Sequence, residues 1–170
     1  NTMALNKKKE IDFLVVTGPT ATGKTKVAVD IASNYNGEII SADSRQIYKG
    51  MDIGTGKDLE EYRINDDIIN CHLIDILDPI EDYSVFKFKN DCQNSITKIQ
   101  SQNKMPIICG GTGLYIESIL LDYKIPKTSP NYHLRTELEN KTIQELTEYL
   151  LKLNPNEFKM EYHISKRRLI

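Results

Sequence analysis

Eight residues near the start of the chain constrain its fold more than any other feature. Gly18-Pro19-Thr20-Ala21-Thr22-Gly23-Lys24-Thr25 matches the pattern Gly-x-x-x-x-Gly-Lys-Ser/Thr, and its flanks have the character that pattern requires. Before it, residues 11–16 form a short, β-rich apolar run without polar alternation, as expected of a strand covered by helices on both faces of a parallel sheet. After it, Val27, Ala28, Ile31 and Ala32 recur at helical spacing until Asn36-Gly37 supplies a stop. Such a unit lets backbone N–H groups converge on phosphate oxygens at the positive end of a helix. Lys24 is expected to neutralise phosphate charge, and the Thr25 hydroxyl to reach Mg²⁺. A chance glycine-rich turn would not carry both flanks. The loop accepts any diphosphate of suitable shape, so ADP and plain pyrophosphate both fit as leaving groups.

The alternation continues downstream. Residues 38–42 read as a second buried strand whose carboxyl end delivers Asp43-Ser44-Arg45-Gln46, where a parallel sheet presents its ligand-facing groups. Residues 50–56 are glycine-rich loop, and residues 72–77 predict another strand, stopped at Asp78-Pro79. Ser84 is placed to cap a helix that buries Val85, Phe86, Phe88, Cys92, Ile96 and Ile99 through Gln100. Residues 106–109 predict a strand, followed by Gly110-Gly111-Thr112-Gly113 and a helix through Leu121. Strands alternating with helices indicate an α/β fold, a parallel sheet flanked by helices. After Asp122 the chain turns rich in Pro, Lys and Ser, and helical patterns up to Leu153 are separated by Asn140-Lys141-Thr142. The expected organisation is an α/β core over 8–122, a helical insertion over 123–165, and the start of a return to the core over 166–170.

Composition excludes several classes. With 170 residues, 39% hydrophobic and 27% charged, the chain is neither disordered nor collagen-like and buries a core without a structural metal. A net charge of -2 provides no global field for a polyanion, so nucleic-acid contact would rest on local basic patches. Cys71, Cys92 and Cys109 are far apart with no Cys-x-x-Cys pair, and read as reduced thiols of a cytoplasmic protein. No apolar run is long enough to cross a bilayer, so no membrane association is expected.

The strand-end carboxylates carry the next question. Asp43 suits either a metal-shell carboxylate or a general base, and the residues alone leave both open. Asp75, inside an apolar run, reads as a paired structural carboxylate.

Five segments carry a resemblance: residues 18–25, residues 40–48 (Ile-Ser-Ala-Asp-Ser-Arg-Gln-Ile-Tyr), residues 50–55 (Gly-Met-Asp-Ile-Gly-Thr), residues 72–75 (His-Leu-Ile-Asp) and residues 110–115 (Gly-Gly-Thr-Gly-Leu-Tyr). In this order they resemble the tRNA dimethylallyltransferase family, from about Phe13 to Leu121 and more weakly to Arg168. The resemblance implies a P-loop NTPase-like fold. It also implies transfer of a dimethylallyl group from dimethylallyl diphosphate to N6 of the adenosine beside the anticodon of tRNA, releasing pyrophosphate. Carried over by position, Asp43 becomes the general base, Thr112 its companion hydroxyl, and residues 20–25 the diphosphate cradle with Lys24 catalytic. Mg²⁺ is the implied cofactor, held in part by Thr25. Thr112 could alternatively serve only to cap the following helix.

The acceptor base must leave its stack to react, so Asp43, Ser44, Arg45 and Gln46 are expected to meet the extruded nucleotide together with Thr112. Arg167 and Arg168 are expected at tRNA phosphates, and Lys49, Lys124, Lys127 and Lys166 are further basic candidates. Two departures stand out: Gly56-Lys57-Asp58 where the family often has Ala-Lys-Pro, and Tyr162-His163-Ile164-Ser165-Lys166 where it has an Asn- and Pro-containing run. Family members are usually much longer, so the chain reads as a fragment, and a monomer is expected. The competing readings are an adenylate isopentenyltransferase acting on free AMP, ADP or ATP, a P-loop nucleotide or small-molecule kinase, and a noncatalytic phosphate-binding module.

Overall fold

The computed structural model describes residues 12–64, 67–125, 131–155 and 165–170. The chain divides into two compact units, with the boundary between Ile125 and Pro126.

In the first unit, strands β1 (Leu14–Thr17), β2 (Gly37–Ser41), β5 (Cys71–His72) and β6 (Met105–Gly110) form one all-parallel sheet in the order β1-β6-β2-β5. Helix α1 (Lys24–Asn34) covers one face; α2 (Val85–Ser101) and α3 (Gly113–Leu120) cover the other. The two-sided cover explains why the strands read as continuous apolar runs. Consecutive residues of one strand enter different cores: Ile39 and Ile107 pack under α1, whereas Ile40 and Ile108 pack under α2. On the α2 side the Phe88 and Tyr115 rings stack with centroids 4.2 Å apart. Ser84 caps α2 as its sequence indicates, accepting from the Lys87 N–H at 3.2 Å.

One predicted strand is cut short. Of residues 72–77 only His72 pairs in the sheet, through β5, and Leu77 makes a single parallel bridge to Tyr48. Leu73 and Asp75 have φ of 60° and 52°, a left-handed backbone that strand geometry excludes. This kink turns the Asp75 carboxylate onto Lys57, whose buried ammonium also reaches Asp52 Oδ1 at 3.0 Å and the Tyr48 carbonyl at 2.9 Å. Asp75 is thus a paired structural carboxylate, and Lys57 ties the glycine-rich loop to the sheet end. A short antiparallel pair, β3 (Arg63–Ile64) and β4 (Asp67–Ile68), forms a separate two-stranded sheet, and the residue pattern carries no signal for it.

At the amino end of β2, buried Glu38 accepts from Asn70 Nδ2 (3.0 Å) and Lys104 Nζ (2.6 Å) and pairs with His72 Nε2 (2.6 Å). Burial pushes its pKa up, but the hydrogen bonds from Lys104, His72 and Asn70 outweigh burial and hold the carboxyl at about 2, below the ordinary 4.5. A depressed folded-state pKa gives stability that is present above pH 4.5 and lost as pH falls toward 2. The shift corresponds to about 3 kcal/mol. Urea unfolding between pH 7 and pH 2.5 is expected to show this loss in the native protein, and Glu38→Gln to be less stable at pH 7 with that part of the acid dependence removed.

The second unit contains α4 (Tyr132–Glu139), α5 (Ile143–Leu153) and α6 (Lys166–Leu169). The polar break at 140–142 separates two helices because Asn140 ends α4 and Thr142 opens α5 with a reciprocal Thr142–Glu145 capping box. Leu138, Leu146 and Leu169 form its small core. Residues 166–170, expected to begin a return to the α/β core, instead group with the helical unit because Leu169 and Ile170 pack into that cluster. No helix among the described residues is long and apolar enough to cross a membrane.

Candidate active site

The phosphate loop takes the shape its residues dictate. β1 ends at Thr17, and α1 starts at Lys24 behind Gly23, whose φ of 78° is in the left-handed region that favours glycine. Ala21 shares that conformation with φ 61°. Alternation of left- and right-handed residues turns successive amides inward, and the α1 N-terminus adds positive potential. The Thr22 hydroxyl donates to the Pro19 carbonyl at 2.9 Å, and Lys24 Nζ donates to the same oxygen, bracing the loop across its mouth. Gly18 differs from Gly23: a Cβ there would meet only ordinary contacts, the nearest 3.6 Å away.

The ends of β2 and β6 meet beside this loop. A Cβ on Gly110 would fall 2.3 Å from the Ala42 carbonyl oxygen, so only glycine allows β6 to leave the sheet against β2 there. Ala42 N–H donates to the Cys109 carbonyl at 2.8 Å, and Thr112 N–H returns a bond to the Ala42 carbonyl at 3.2 Å. Thr112 occupies the N-cap position of α3, yet its hydroxyl caps nothing there. Its Oγ1 instead accepts from the Ser44 backbone N–H at 3.0 Å. The capping role is therefore not the one it performs; it pins the loop that carries Asp43. Asp43 Oδ1 accepts from the Arg45 N–H at 2.9 Å, and the Arg45 guanidinium lies 3.9 Å from the same oxygen.

A cleft of about 230 Å³ joins these parts. Thr20 to Thr25, Asp43, Arg45 and Gln46 all line it, so the phosphate loop and the Asp43 loop face one space. Ser44 and Thr112 are not part of that lining. Gln46 divides its amide between the Ser41 hydroxyl (3.1 Å) and the Gly56 carbonyl (3.0 Å), holding residues 55–56 at the cleft. Thr55, Gly56, Glu61, Tyr62 and Cys109 also line the cleft and escaped the sequence reading. Cys109 could have been suspected, since it precedes the glycine turn at a strand end. Nothing local marks Glu61 or Tyr62, which arrive on a 3-10 turn, Leu59–Tyr62. Arg167 belongs to the helical unit, where it borders a cavity with Arg135, Glu139, Lys166 and Ile170. Lys127 and the side chain of Arg168 lie outside the described residues.

Comparison with known proteins decides the family. The model of the IPP transferase family matches residues 46–170, and that of the isopentenyl transferase family matches residues 11–65. The chain belongs to the IPP transferase family. It is 50% identical over 142 residues to tRNA dimethylallyltransferase 1 of Azobacteroides pseudotrichonymphae, covering 84% of this chain and 46% of that protein. It is 46% identical over 144 residues to tRNA dimethylallyltransferase 1 of Syntrophus aciditrophicus, covering 85% of this chain and 47% of the relative. Among solved structures it is similar to the full-length tRNA isopentenylpyrophosphate transferase of Bacillus halodurans, at 38% identity and a TM-score of 0.63, over 94% of this chain and 53% of that one. A eukaryotic dimethylallyltransferase acting on tRNA aligns with a TM-score of 0.76 at 27% identity, over 92% of this chain and 39% of its own. The chain spans about half the length of the curated relatives it matches. The P-loop NTPase-like fold implied by the resemblance is the fold of these structural neighbours.

Proposed function

We propose that this chain carries the donor site and general base of an enzyme that transfers a dimethylallyl group from dimethylallyl diphosphate to N6 of the adenosine adjacent to the anticodon in tRNA. The observation that carries this reading is the single cleft shared by the phosphate loop and Asp43. A phosphate loop alone serves many reactions; a strand-end carboxylate facing the same space supplies what attack by an amine needs.

The adenine exocyclic amine is a poor nucleophile because its lone pair is delocalised into the ring. As N6 bonds to C1 of the donor, the C1–O bond breaks and its electron pair leaves on the bridging oxygen of pyrophosphate. Asp43 takes the N6 proton, which lowers the barrier to attack. Lys24 and the loop amides stabilise charge on the departing diphosphate. Thr112 acts through Ser44, keeping the Asp43 loop in register with the α3 turn. Arg45 lies where it can steady the carboxylate and meet the extruded nucleotide.

The donor set suits Mg²⁺. Thr25 and Glu61 offer oxygen atoms to the cleft, and among the described residues no cluster of three His, Cys, Asp or Glu forms an all-protein cage. Mg²⁺ characteristically binds through substrate phosphates with one or two protein oxygens. Bound there, it would neutralise charge on the diphosphate, with Thr25 as the expected ligand.

The proposed setting is the cytoplasm, where thiols such as Cys71, Cys92 and Cys109 stay reduced. Arg167, with Arg135 and Lys166 beside it, is the proposed phosphate-contacting group of the helical unit. The test is to incubate the complete protein with labelled dimethylallyl diphosphate and unmodified tRNA, AMP or ATP. Label is expected in tRNA, with tRNA affinity falling steeply as salt rises. Label in AMP with no preference for tRNA would establish the adenylate isopentenyltransferase reading instead, and phosphoryl transfer from ATP the kinase reading.

A further inference from the structure

The cradle accounts for the diphosphate and Asp43 for the acceptor proton, which leaves the hydrocarbon between them without a seat. Two cleft-lining side chains have the chemistry to supply one. Tyr62 arrives on the 3-10 turn and Cys109 at the end of β6, and both belong to the apolar cluster under α1. Their exposures are only 6% and 7%, so each is a core residue whose remaining surface borders the cleft. Burial pushes the Tyr62 hydroxyl pKa up, so the side chain stays a neutral phenol within that cluster. The cleft, about 230 Å³, is smaller than the roughly 300–1,000 Å³ of common ligand pockets.

We propose that Tyr62 and Cys109 form the apolar wall that seats the dimethylallyl tail and restricts the donor to a five-carbon chain. The inference rests on the prenyl-donor reading above and assigns its specificity. Chemistry at Cys109 agrees with the role. Burial pushes its thiol up to about 11, with Lys24 acting weakly in the opposite direction, so the sulfur stays protonated at neutral pH. A thiolate beside an allylic diphosphate would itself be a nucleophile toward C1, whereas the thiol behaves as a small hydrophobe.

The experiment is calorimetric binding to the complete protein, with Mg²⁺, of dimethylallyl diphosphate, geranyl diphosphate and inorganic pyrophosphate. The native protein is expected to prefer dimethylallyl diphosphate over both other ligands. Cys109→Leu fills the wall and is expected to cut that preference by on the order of tenfold while pyrophosphate still binds. Cys109→Val, a smaller strand-compatible change, is expected to shift it in the same direction by less. Tyr62→Ala opens the wall and is expected to admit geranyl diphosphate; retained pyrophosphate binding shows that each variant is folded. Preferences unchanged from the native protein in Cys109→Leu and Tyr62→Ala would overturn the wall assignment alone. A native protein that binds pyrophosphate as tightly as dimethylallyl diphosphate would overturn the donor reading as well.

Discussion

Asp43→Asn is expected to slow prenyl transfer by on the order of 10²-fold or more while leaving affinity for the Mg²⁺–diphosphate near native. The prediction is sharp because the substitution is conservative where the structure uses the side chain. Asp43 Oδ1 accepts the Arg45 N–H, and an asparagine oxygen can keep that bond, so the loop retains its shape. What is lost is the proton acceptor. Lys24→Ala provides the opposite pattern, since it removes a charge-assisted contact and is expected to weaken diphosphate binding by about 1.5–3 kcal/mol. Calorimetry with pyrophosphate and single-turnover transfer, run on both variants, separate the two roles. If Asp43→Asn lost diphosphate affinity in step with rate, the carboxylate would belong to the metal shell, the alternative its sequence position left open.

Gly110→Ala is expected to destabilise the first unit by about 3 kcal/mol, near the upper end of what overpacking costs. The added methyl would lie 2.3 Å from the Ala42 oxygen and 2.5 Å from its carbonyl carbon, both backbone atoms of the residue that follows β2. Neither can rotate away, so β2 and β6 must separate where they deliver Asp43 and Thr112. Transfer is therefore expected to fall along with stability. Gly111→Ala is the matched comparison, because its methyl would meet nothing closer than the Gly18 carbonyl at 3.6 Å. Urea unfolding of the two variants should differ clearly; equal stability would show that the strand ends relax without cost and that close approach is not what glycine provides at 110.

The parts of this protein legible in its sequence are those specified over a few neighbouring residues. The strand–loop–helix unit around Gly23 and Lys24 is one, because the left-handed turn and the helix start are local properties. The Ser84 cap is another, a contact between residues three apart. Unbroken apolar strands announced a sheet covered on both faces before Ile39 and Ile40 could be assigned to separate cores.

Tertiary structure decided the rest. Residues 72–77 have the composition of a strand, but the ion pair between Asp75 and Lys57, 18 positions apart, accompanies a kinked backbone that no local propensity encodes. Thr112 carries the residue type and position of a helix cap, and only the approach of Ser44, 68 positions earlier, shows that its hydroxyl serves the Asp43 loop. The strand order β1-β6-β2-β5 creates that approach by bringing β6 between β1 and β2. The same crossover brings Cys109 to the phosphate loop, and the packing of the 3-10 turn under α1 brings Tyr62. Periodicity and caps follow from interactions along the chain, whereas the reacting cleft is made of contacts across it, which exist only once loop closure has been offset by burial of the shared core.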